Sequence, residues 1–189
     1  MSKPAQVIIL CEDKLHKVVG ERFFKLRYGL TNHQIRSLVA PSGKGAAEQW
    51  VRKNYPNELK ANRVRGRGTA LIVIIDADKN TVAKRQSDLD NACNAADIPC
   101  RTPNDRVVHV IPKRAINTWL AWLDGIEVIE NAPPGNASDD YKKQGYKFDK
   151  CESNAGPLVK ILVEKCKQGV QDDMPASLKT ACKELARIK

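Results

Sequence analysis

Long apolar runs are missing from this sequence. None of its 189 residues belongs to a stretch near the roughly 18 apolar residues that a transmembrane helix needs. The N-terminus, Met1 to Ala5, leads into a short aliphatic run with no small-residue cleavage site behind it, so we predict no signal peptide. We therefore expect a cytoplasmic protein that neither spans a membrane nor is secreted.

Metal-binding and disulfide patterns of cysteine are also missing. Six cysteines are present, but no Cys-x-x-Cys pair occurs, and none of the three histidines stands at a zinc-ligand spacing from a cysteine. Without a secretory signal, reduced thiols are expected. These absences argue against a zinc domain and against a disulfide-stapled scaffold.

Basic residues exceed acidic ones. Thirty-two Lys and Arg against 22 Asp and Glu give a net charge of +10. A surplus of this size favours a polyanionic partner, and nucleic acid is the commonest such partner. The alternative is a basic surface with no specific partner.

Apolar runs typical of buried strands alternate with segments of helical spacing. This alternation predicts an α/β fold with a mostly parallel sheet and helices on both faces. Residues 130–157 are rich in Pro, Gly, Asn, Asp and Lys and predict a long loop or insertion. The predicted strands are 6–11, 35–40, 70–75 and 107–111, and the predicted helices are 15–26, 46–55 (ended by Pro56), 81–96, 115–123, 158–167 and 176–188.

Carboxylates follow two of the predicted strands. Glu12 comes after the first, and Asp76 and Asp78 come after the third. Since parallel strands end at one edge of a sheet, these acids would meet there, and in an extended Asp-x-Asp both side chains project the same way. Clustered carboxylates suit Mg²⁺ or Mn²⁺. The alternative is that Asp76 or Asp78 caps the helix starting near Thr81, as Asp13 would cap the helix that follows it.

This arrangement of acids resembles the toprim fold, which topoisomerases, bacterial primases and nucleases of the overcoming-lysogenization-defect type share. The resemblance covers residues 6–125 and extends to small stand-alone toprim proteins encoded beside ATPases in anti-phage defence. Departures occur at Asp13, where toprim proteins usually carry glycine, and at Asn117, where relatives are expected to be acidic. The additional matching runs are Gly43-Lys44-Gly45, Glu48 to Val51 and Ile111 to Trp119.

The resemblance implies a Mg²⁺-dependent nuclease that cleaves DNA phosphodiesters as a subunit of a defence complex with an ATPase partner, and a homo-oligomer is a further expectation. Glu12 would then serve as general base and metal ligand, and Asp76 and Asp78 would bind Mg²⁺ or Mn²⁺. The fold would be toprim-like, or Rossmannoid, with a C-terminal helical extension. The expected division is a catalytic domain at 1–125, a loop or insertion at 126–157, and helices at 158–189 that pack on the same domain.

Several basic residues are candidates for contact with nucleic acid. Arg63, Arg65 and Arg67, spaced by two in a predicted mobile loop, form the best candidate surface for a phosphate backbone, with a solvated loop as the alternative. Lys44 follows Gly43 in a segment that lacks the full P-loop pattern, so it would hold a backbone phosphate, or else the segment is a plain turn. Lys79, Lys84 and Arg85 would neutralise a scissile phosphate, and the alternative for Lys84 and Arg85 is exposed positions on a helix.

Other nucleophiles and bases have no visible partner in the sequence. His109 lies inside a predicted strand, and His16 and His33 lack a nucleophile to activate, so no histidine is predicted to be catalytic. Cys11 lacks a nearby base.

Two further functions compete with the nuclease. One is a non-catalytic toprim adaptor that binds nucleic acid or an ATPase partner. The other is a phosphatase of the haloacid-dehalogenase type, which also places Asp-x-Asp after an apolar strand. Lys79-Asn80 and the mid-chain position of the acids argue against the phosphatase.

Overall fold

The sheet has four parallel strands. A computed structural model describes residues 3–43, 46–130 and 151–188. The strands are β1 (Gln6–Cys11), β2 (Ile35–Val39), β3 (Thr69–Ile74) and β4 (Val107–Val110), in the spatial order β2-β1-β3-β4. The predicted α/β class with a parallel sheet is confirmed.

Helices cover both faces of the sheet, as in a Rossmann-like fold. The helices of the described residues are α1 (Lys14–Tyr28), α2 (Ala47–Arg65), α3 (Val82–Ala95), α4 (Ile116–Leu123), α5 (Cys151–Gln168) and α6 (Ala176–Leu185), and a 3₁₀ turn lies at Asn32–Gln34. Side chains of β1 alternate between the faces: Val7 and Ile9 pack with α1, α4, α5 and α6, whereas Ile8 and Leu10 pack with α2 and α3. Burial on both faces explains why β1 and β3 have nearly continuous apolar sequences.

Helix α2 does not stop before Pro56, as predicted, but continues to Arg65. A proline inside a helix costs about 3 kcal/mol. Val51, Tyr55 and Leu59 recur every four residues on one face and are fully buried, and each contributes roughly 1.5–3 kcal/mol. The buried face outweighs the proline, so residues 63–65 of the predicted loop belong to the last turn of α2, and Gly66 ends the helix.

Helices α5 and α6 share the core formed by α1, α4 and one face of the sheet, through residues such as Val159 and Leu178. Helix α5 begins at Cys151, within the predicted loop; residues 131–150 of that loop lie outside the described residues.

The expectation of reduced thiols is wrong for one pair of cysteines. Cys166 of α5 and Cys182 of α6 form a disulfide, with their Cα atoms 5.1 Å apart. The chain reverses between the two helices and brings together residues that are 16 positions apart in sequence, a spacing that belongs to no cysteine motif. Cys11, Cys93 and Cys100 are free thiols. Over 3–43, 46–130 and 151–188, no helix is long and apolar enough to cross a membrane.

Candidate metal centre

The strand order changes direction at β1. After β1 the chain goes to β2 on one side, whereas β3 and β4 lie on the other side of β1. In open α/β sheets, ligands bind beyond the carboxyl ends of the strands at such a point. Glu12 follows β1 and Asp76 lies two residues beyond β3, so both lie at this position.

Glu12 and Asp76 are directly linked. The Asp76 amide donates to Glu12 Oε1 at 2.5 Å, and the amide of Ile116, the first residue of α4, donates to Asp76 Oδ1 at 3.0 Å. The Asp76 residue is only 6% exposed. Asp76 therefore joins β3 to the start of α4 while keeping its carboxylate beside Glu12.

The helix-cap alternative is correct for Asp13 and wrong for the acids after β3. Asp13 Oδ1 accepts from the His16 amide at 2.9 Å and caps α1, as predicted. Helix α3 is capped instead by Thr81, whose hydroxyl accepts from the Lys84 amide at 3.0 Å.

His16 belongs to the centre, although the sequence analysis assigned no histidine a catalytic role. Its Nε2 lies 3.0 Å from Asp76 Oδ1, and its Nδ1 lies 3.1 Å from Asp13 Oδ1, close enough for an ion pair but not aligned as a hydrogen bond. One donor atom from each of Glu12, His16 and Asp76 lies within 4.8 Å of the others. These three residues are called the Glu12–His16–Asp76 cluster below.

Close packing of α1 on the sheet holds His16 in place. A Cβ atom added at Gly20 would meet Ile74 Cδ1 at 2.9 Å, so the helix approaches the end of β3 more closely than a side chain would allow. His16 lies one turn earlier on the same helix face and is 1% exposed. The Asp13-x-x-His16 spacing directly after Glu12 is the sequence signal that could have identified it.

The ionisable groups of the cluster perturb one another. Burial, and then the negative charge of Asp76, raises the pKa of Glu12 to about 7. Burial would lower the pKa of His16, but Asp76 and Asp13 together outweigh it and raise that pKa to about 10. Burial acts to raise the pKa of Asp13, but the interaction of Asp13 with His16 outweighs burial and lowers the pKa of Asp13 to about 2. At neutral pH, His16 is therefore a buried cation between two carboxylates, and Glu12 is close to its midpoint.

Asp78 is not part of this cluster. The Asp-x-Asp segment is not extended, because β3 ends at Ile74 and the chain turns, with the Asn80 amide donating to the Ala77 carbonyl at 2.8 Å. Asp78 has a left-handed backbone, with φ of 52°, and its half-exposed carboxylate lies 3.5 Å from Arg85 Nη2. The extended backbone on which the prediction of parallel side chains depends is therefore absent at Asp78.

Arg85 is a buried residue that braces the site. Its side chain is 4% exposed, and it donates to the Asp76 carbonyl at 2.9 Å and to Glu48 Oε2 at 2.8 Å. The alternative of an exposed helix position is therefore wrong for Arg85, and its guanidinium has no surface to offer a nucleic-acid phosphate. Lys84 is exposed, as expected, and pairs with Asp88 at 2.6 Å.

The three candidate arginines lie at the other edge of the sheet. They precede Thr69, at the start of β3, whereas Asp76 follows the end of β3. The six residues of β3 therefore separate these arginines from Asp76 by about 20 Å. Arg63 makes two hydrogen bonds to Asp105, at 2.9 and 3.0 Å, and Arg65 lies 3.3 Å from Glu58, whereas Arg67 is exposed.

Other basic residues follow the same ends of the strands. Lys14 begins α1 next to Asp13, and Lys79 is exposed after Asp78. Lys113 Nζ donates to the Asn80 carbonyl at 2.7 Å, on the segment that leads into α4. Lys44 lies outside the described residues.

His109 and Cys11 are also titratable, and both are buried away from solvent. His109 Nε2 lies 2.9 Å from the Tyr55 hydroxyl, and burial holds the pKa of His109 well below its usual value. Cys11 is fully buried, and burial together with Asp13 raises its pKa to about 12, so it stays a thiol. Neither residue is a candidate nucleophile or base, in agreement with the sequence analysis.

No known protein family has a model that matches this chain, and comparisons with curated proteins and with solved structures likewise found no match. The features of this chain that point to a function are therefore the chemistry of the Glu12–His16–Asp76 cluster and its position in the fold.

Proposed function

We propose that this protein is a metal-dependent, toprim-like nuclease that cleaves DNA phosphodiester bonds. The observation that carries the proposal is the Glu12–His16–Asp76 cluster at the carboxyl ends of β1 and β3, with donor atoms within 4.8 Å of one another. The fold supports a Rossmann-like architecture, and the toprim assignment depends on the resemblance of the strand-end acids.

The donor atoms of the cluster fit a divalent cation. Glu12 Oε1 accepts the hydrogen bond from the Asp76 amide, and the second oxygen of Glu12 remains for an ion. Asp76 Oδ1 accepts hydrogen bonds from His16 and from the Ile116 amide, and Asp76 Oδ2 remains for an ion. Mg²⁺ or Mn²⁺ held here would supply a more acidic water and stabilise charge on the phosphate. Arg85 holds the backbone of Asp76 and thereby fixes the position of this carboxylate.

Glu12 has the properties of a general base. A base works best when its pKa lies near the operating pH, and burial beside Asp76 raises the pKa of Glu12 to about 7. The Asp76 amide occupies Oε1 and orients the carboxylate, so Oε2 would serve both as a ligand of the ion and, through its second lone pair, as the acceptor of a proton from the attacking water.

The charge distribution supports a nucleic-acid substrate. The net charge of +10 attracts a phosphate backbone, and Lys14, Lys79 and Lys113 belong to segments at the same edge of the sheet as the cluster. These lysines are better placed than the arginines at the far end of β3 to contact a scissile phosphate. Action in an anti-phage complex with an ATPase follows from the family resemblance alone, whereas the cytoplasmic location is proposed from the absence of a signal-peptide pattern in the sequence.

A catalytically degenerate adaptor is the second candidate. The observation that favours it is that the cluster is internally satisfied: Asp76 Oδ1 accepts both His16 and Ile116, and His16 supplies a positive charge. Such a network stabilises a fold without any metal. The adaptor would bind nucleic acid or an ATPase through the same basic surface.

Plasmid cleavage across divalent metals separates the two candidates. The purified full chain should nick or linearise plasmid DNA with Mg²⁺ or Mn²⁺ and lose this activity in a chelator. Glu12→Gln keeps the acceptor for the Asp76 amide but cannot take up a proton, so we expect turnover to fall about a hundredfold or more.

Glu58→Gln is the matched control, because Glu58 is a glutamate near the other end of the sheet that pairs with Arg65. It should cleave like the wild type. Absence of cleavage with every divalent metal, or full activity of Glu12→Gln, would contradict the nuclease and leave the adaptor.

A further inference from the structure

We propose that His16 Nε2 is itself a metal ligand, oriented by Asp13, and that the centre consequently prefers a transition ion such as Mn²⁺ to Mg²⁺. This inference depends on the metal site of the proposed function but not on nuclease activity. It replaces the all-carboxylate ligand set predicted from the sequence by one nitrogen and two carboxylate ligands.

The spacing of the donor atoms suits coordination of one ion. Neighbouring ligands of an octahedral ion, each about 2.1 Å from the metal, lie about 3 Å apart. The distance between His16 Nε2 and Asp76 Oδ1 is 3.0 Å, and one donor atom from each of Glu12, His16 and Asp76 lies within 4.8 Å of the others. An ion that replaces the hydrogen between His16 and Asp76 needs only small movements of these side chains.

The other ring nitrogen of His16 faces a carboxylate. Histidine ligands usually direct their second nitrogen to a carboxylate or carbonyl, which fixes the ring and leaves the lone pair on the metal side. Asp13 Oδ1 lies 3.1 Å from His16 Nδ1, on the side of the ring opposite to Asp76. This contact is within ion-pair distance but is not aligned as a hydrogen bond, and the same Asp13 oxygen caps α1.

The nature of the ligands determines the preferred ion. Mg²⁺ favours oxygen ligands, whereas imidazole suits first-row transition ions, and carboxylates bind both groups. Asp78, which would have completed an all-oxygen set, lies against Arg85 instead. With His16 in its place, the cluster offers a mixed set that Mn²⁺ accepts more readily than Mg²⁺.

A purely structural role for His16 would produce the same distances. In that case His16 stays a buried cation that neutralises Asp76, and no ion ever contacts its nitrogen. The two roles differ in one measurable property, namely whether a bound metal is bonded to a histidine nitrogen.

Pulsed electron paramagnetic resonance measures this property directly. The metal-stripped full chain receives less than one equivalent of Mn²⁺, and the spectrum is examined for coupling to ¹⁴N. We expect a coupling of imidazole type that changes to the ¹⁵N pattern when the protein carries ¹⁵N-histidine. His16→Gln should lose the coupling, and His33→Gln, which alters an exposed histidine in the 3₁₀ turn, should keep it.

Affinities provide a second measurement that needs no enzymatic activity. Calorimetric titration of the wild type should give at least a tenfold tighter Kd for Mn²⁺ than for Mg²⁺. Asp13→Asn retains a cap acceptor but removes the carboxylate, and it should weaken Mn²⁺ binding about 10- to 100-fold. His16→Asp restores an oxygen ligand and should narrow the preference for Mn²⁺.

The outcomes keep this inference apart from the nuclease. Bound Mn²⁺ without nitrogen coupling in the wild type, or coupling that persists in His16→Gln, overturns the role of His16 and leaves a carboxylate metal site. Nitrogen coupling in a protein that cleaves no DNA with any metal supports the ligand and contradicts the nuclease. If neither Mn²⁺ nor Mg²⁺ binds, the metal centre itself is refuted.

Discussion

Replacing Asp76 by alanine tests how the centre is built. The Asp76 carboxylate accepts hydrogen bonds from His16 Nε2 and from the Ile116 amide, and it is almost fully buried. Asp76→Ala leaves the backbone contacts to Glu12 and Arg85 in place but removes both of these hydrogen bonds. The simple expectation for a metal ligand, that its loss leaves the fold intact, does not apply here.

The size of the loss follows from the contacts. Breaking a buried ion pair typically costs about 3–5 kcal/mol, and an unsatisfied buried amide about 1–3 kcal/mol. Two responses reduce this sum: His16 can release its proton, since its ordinary pKa is near 6.5, and Glu12 loses a repulsive neighbour. We therefore expect Asp76→Ala to lower the free energy of unfolding by about 3 kcal/mol at pH 7.

Urea denaturation in metal-free buffer, followed by circular dichroism, measures this loss. Asp78→Ala is the matched control, and because Asp78 is half exposed its loss should be below about 1 kcal/mol. Asp76→Asn keeps an oxygen for the Ile116 amide and should fall between the two. Equal losses for Asp76→Ala and Asp78→Ala would refute the account of Asp76 as the buried link between β3 and α4.

Three further predictions concern other parts of the molecule. The metal-free protein should lose stability between pH 7 and 10, by at most about 1.4 kcal/mol per pH unit, because folded His16 keeps a proton that the unfolded chain releases. Denaturation at several pH values should show a flatter dependence of the free energy of unfolding on pH for His16→Gln, and an equal dependence would contradict the buried cation. Arg67→Ala should weaken DNA binding and lower the slope of log affinity against log salt by about 0.9, whereas an unchanged slope in fluorescence anisotropy would mean that Arg67 makes no phosphate contact. Reducing the Cys166–Cys182 disulfide removes a loop constraint worth about 3 kcal/mol, so the melting temperature should be clearly lower with reductant than without it. Identical melting curves would argue against the bond.

The elements that could be predicted from the sequence are those whose local pattern and tertiary environment agree. Strands β1 and β3 are buried on both faces, so nearly every residue is aliphatic and the run is unmistakable. The positions of Glu12 and Asp76 follow from the ends of these strands. Their proximity follows from the parallel sheet, and the structure places them side by side.

The errors occur where a distant contact decides the outcome. Pro56 would end an isolated helix, but the buried face of α2 holds it in place. Arg85 has the sequence surroundings of a surface residue, and only the folded chain brings Glu48 and Asp76 to it. Asp78 lies outside the Glu12–His16–Asp76 cluster because the backbone leaves the extended conformation after β3, which a two-residue alternation cannot reveal.

His16 was missed for a different reason. The sequence patterns that mark a functional histidine pair it with a cysteine or a nucleophile, whereas the partners of His16 are two aspartates from separate segments. His16 lies three residues after the cap residue Asp13, and residues at this spacing lie on the same face of a helix. The first turn of α1 therefore brings His16 close to the end of the strand that precedes Asp13. A histidine three residues after a cap that itself follows a strand-end glutamate is the pattern to examine in such sequences.

Anomalous diffraction from crystals soaked in Mn²⁺ tests the central claim, the metal centre, most directly. Data collected near the manganese absorption edge locate the ion without reference to activity or to mutants. The account predicts a peak about 2.0–2.3 Å from oxygens of Glu12 and Asp76 and from Nε2 of His16, at the carboxyl ends of β1 and β3. A fully occupied manganese peak elsewhere with none at this cluster, or no peak at all at saturating Mn²⁺, would contradict it.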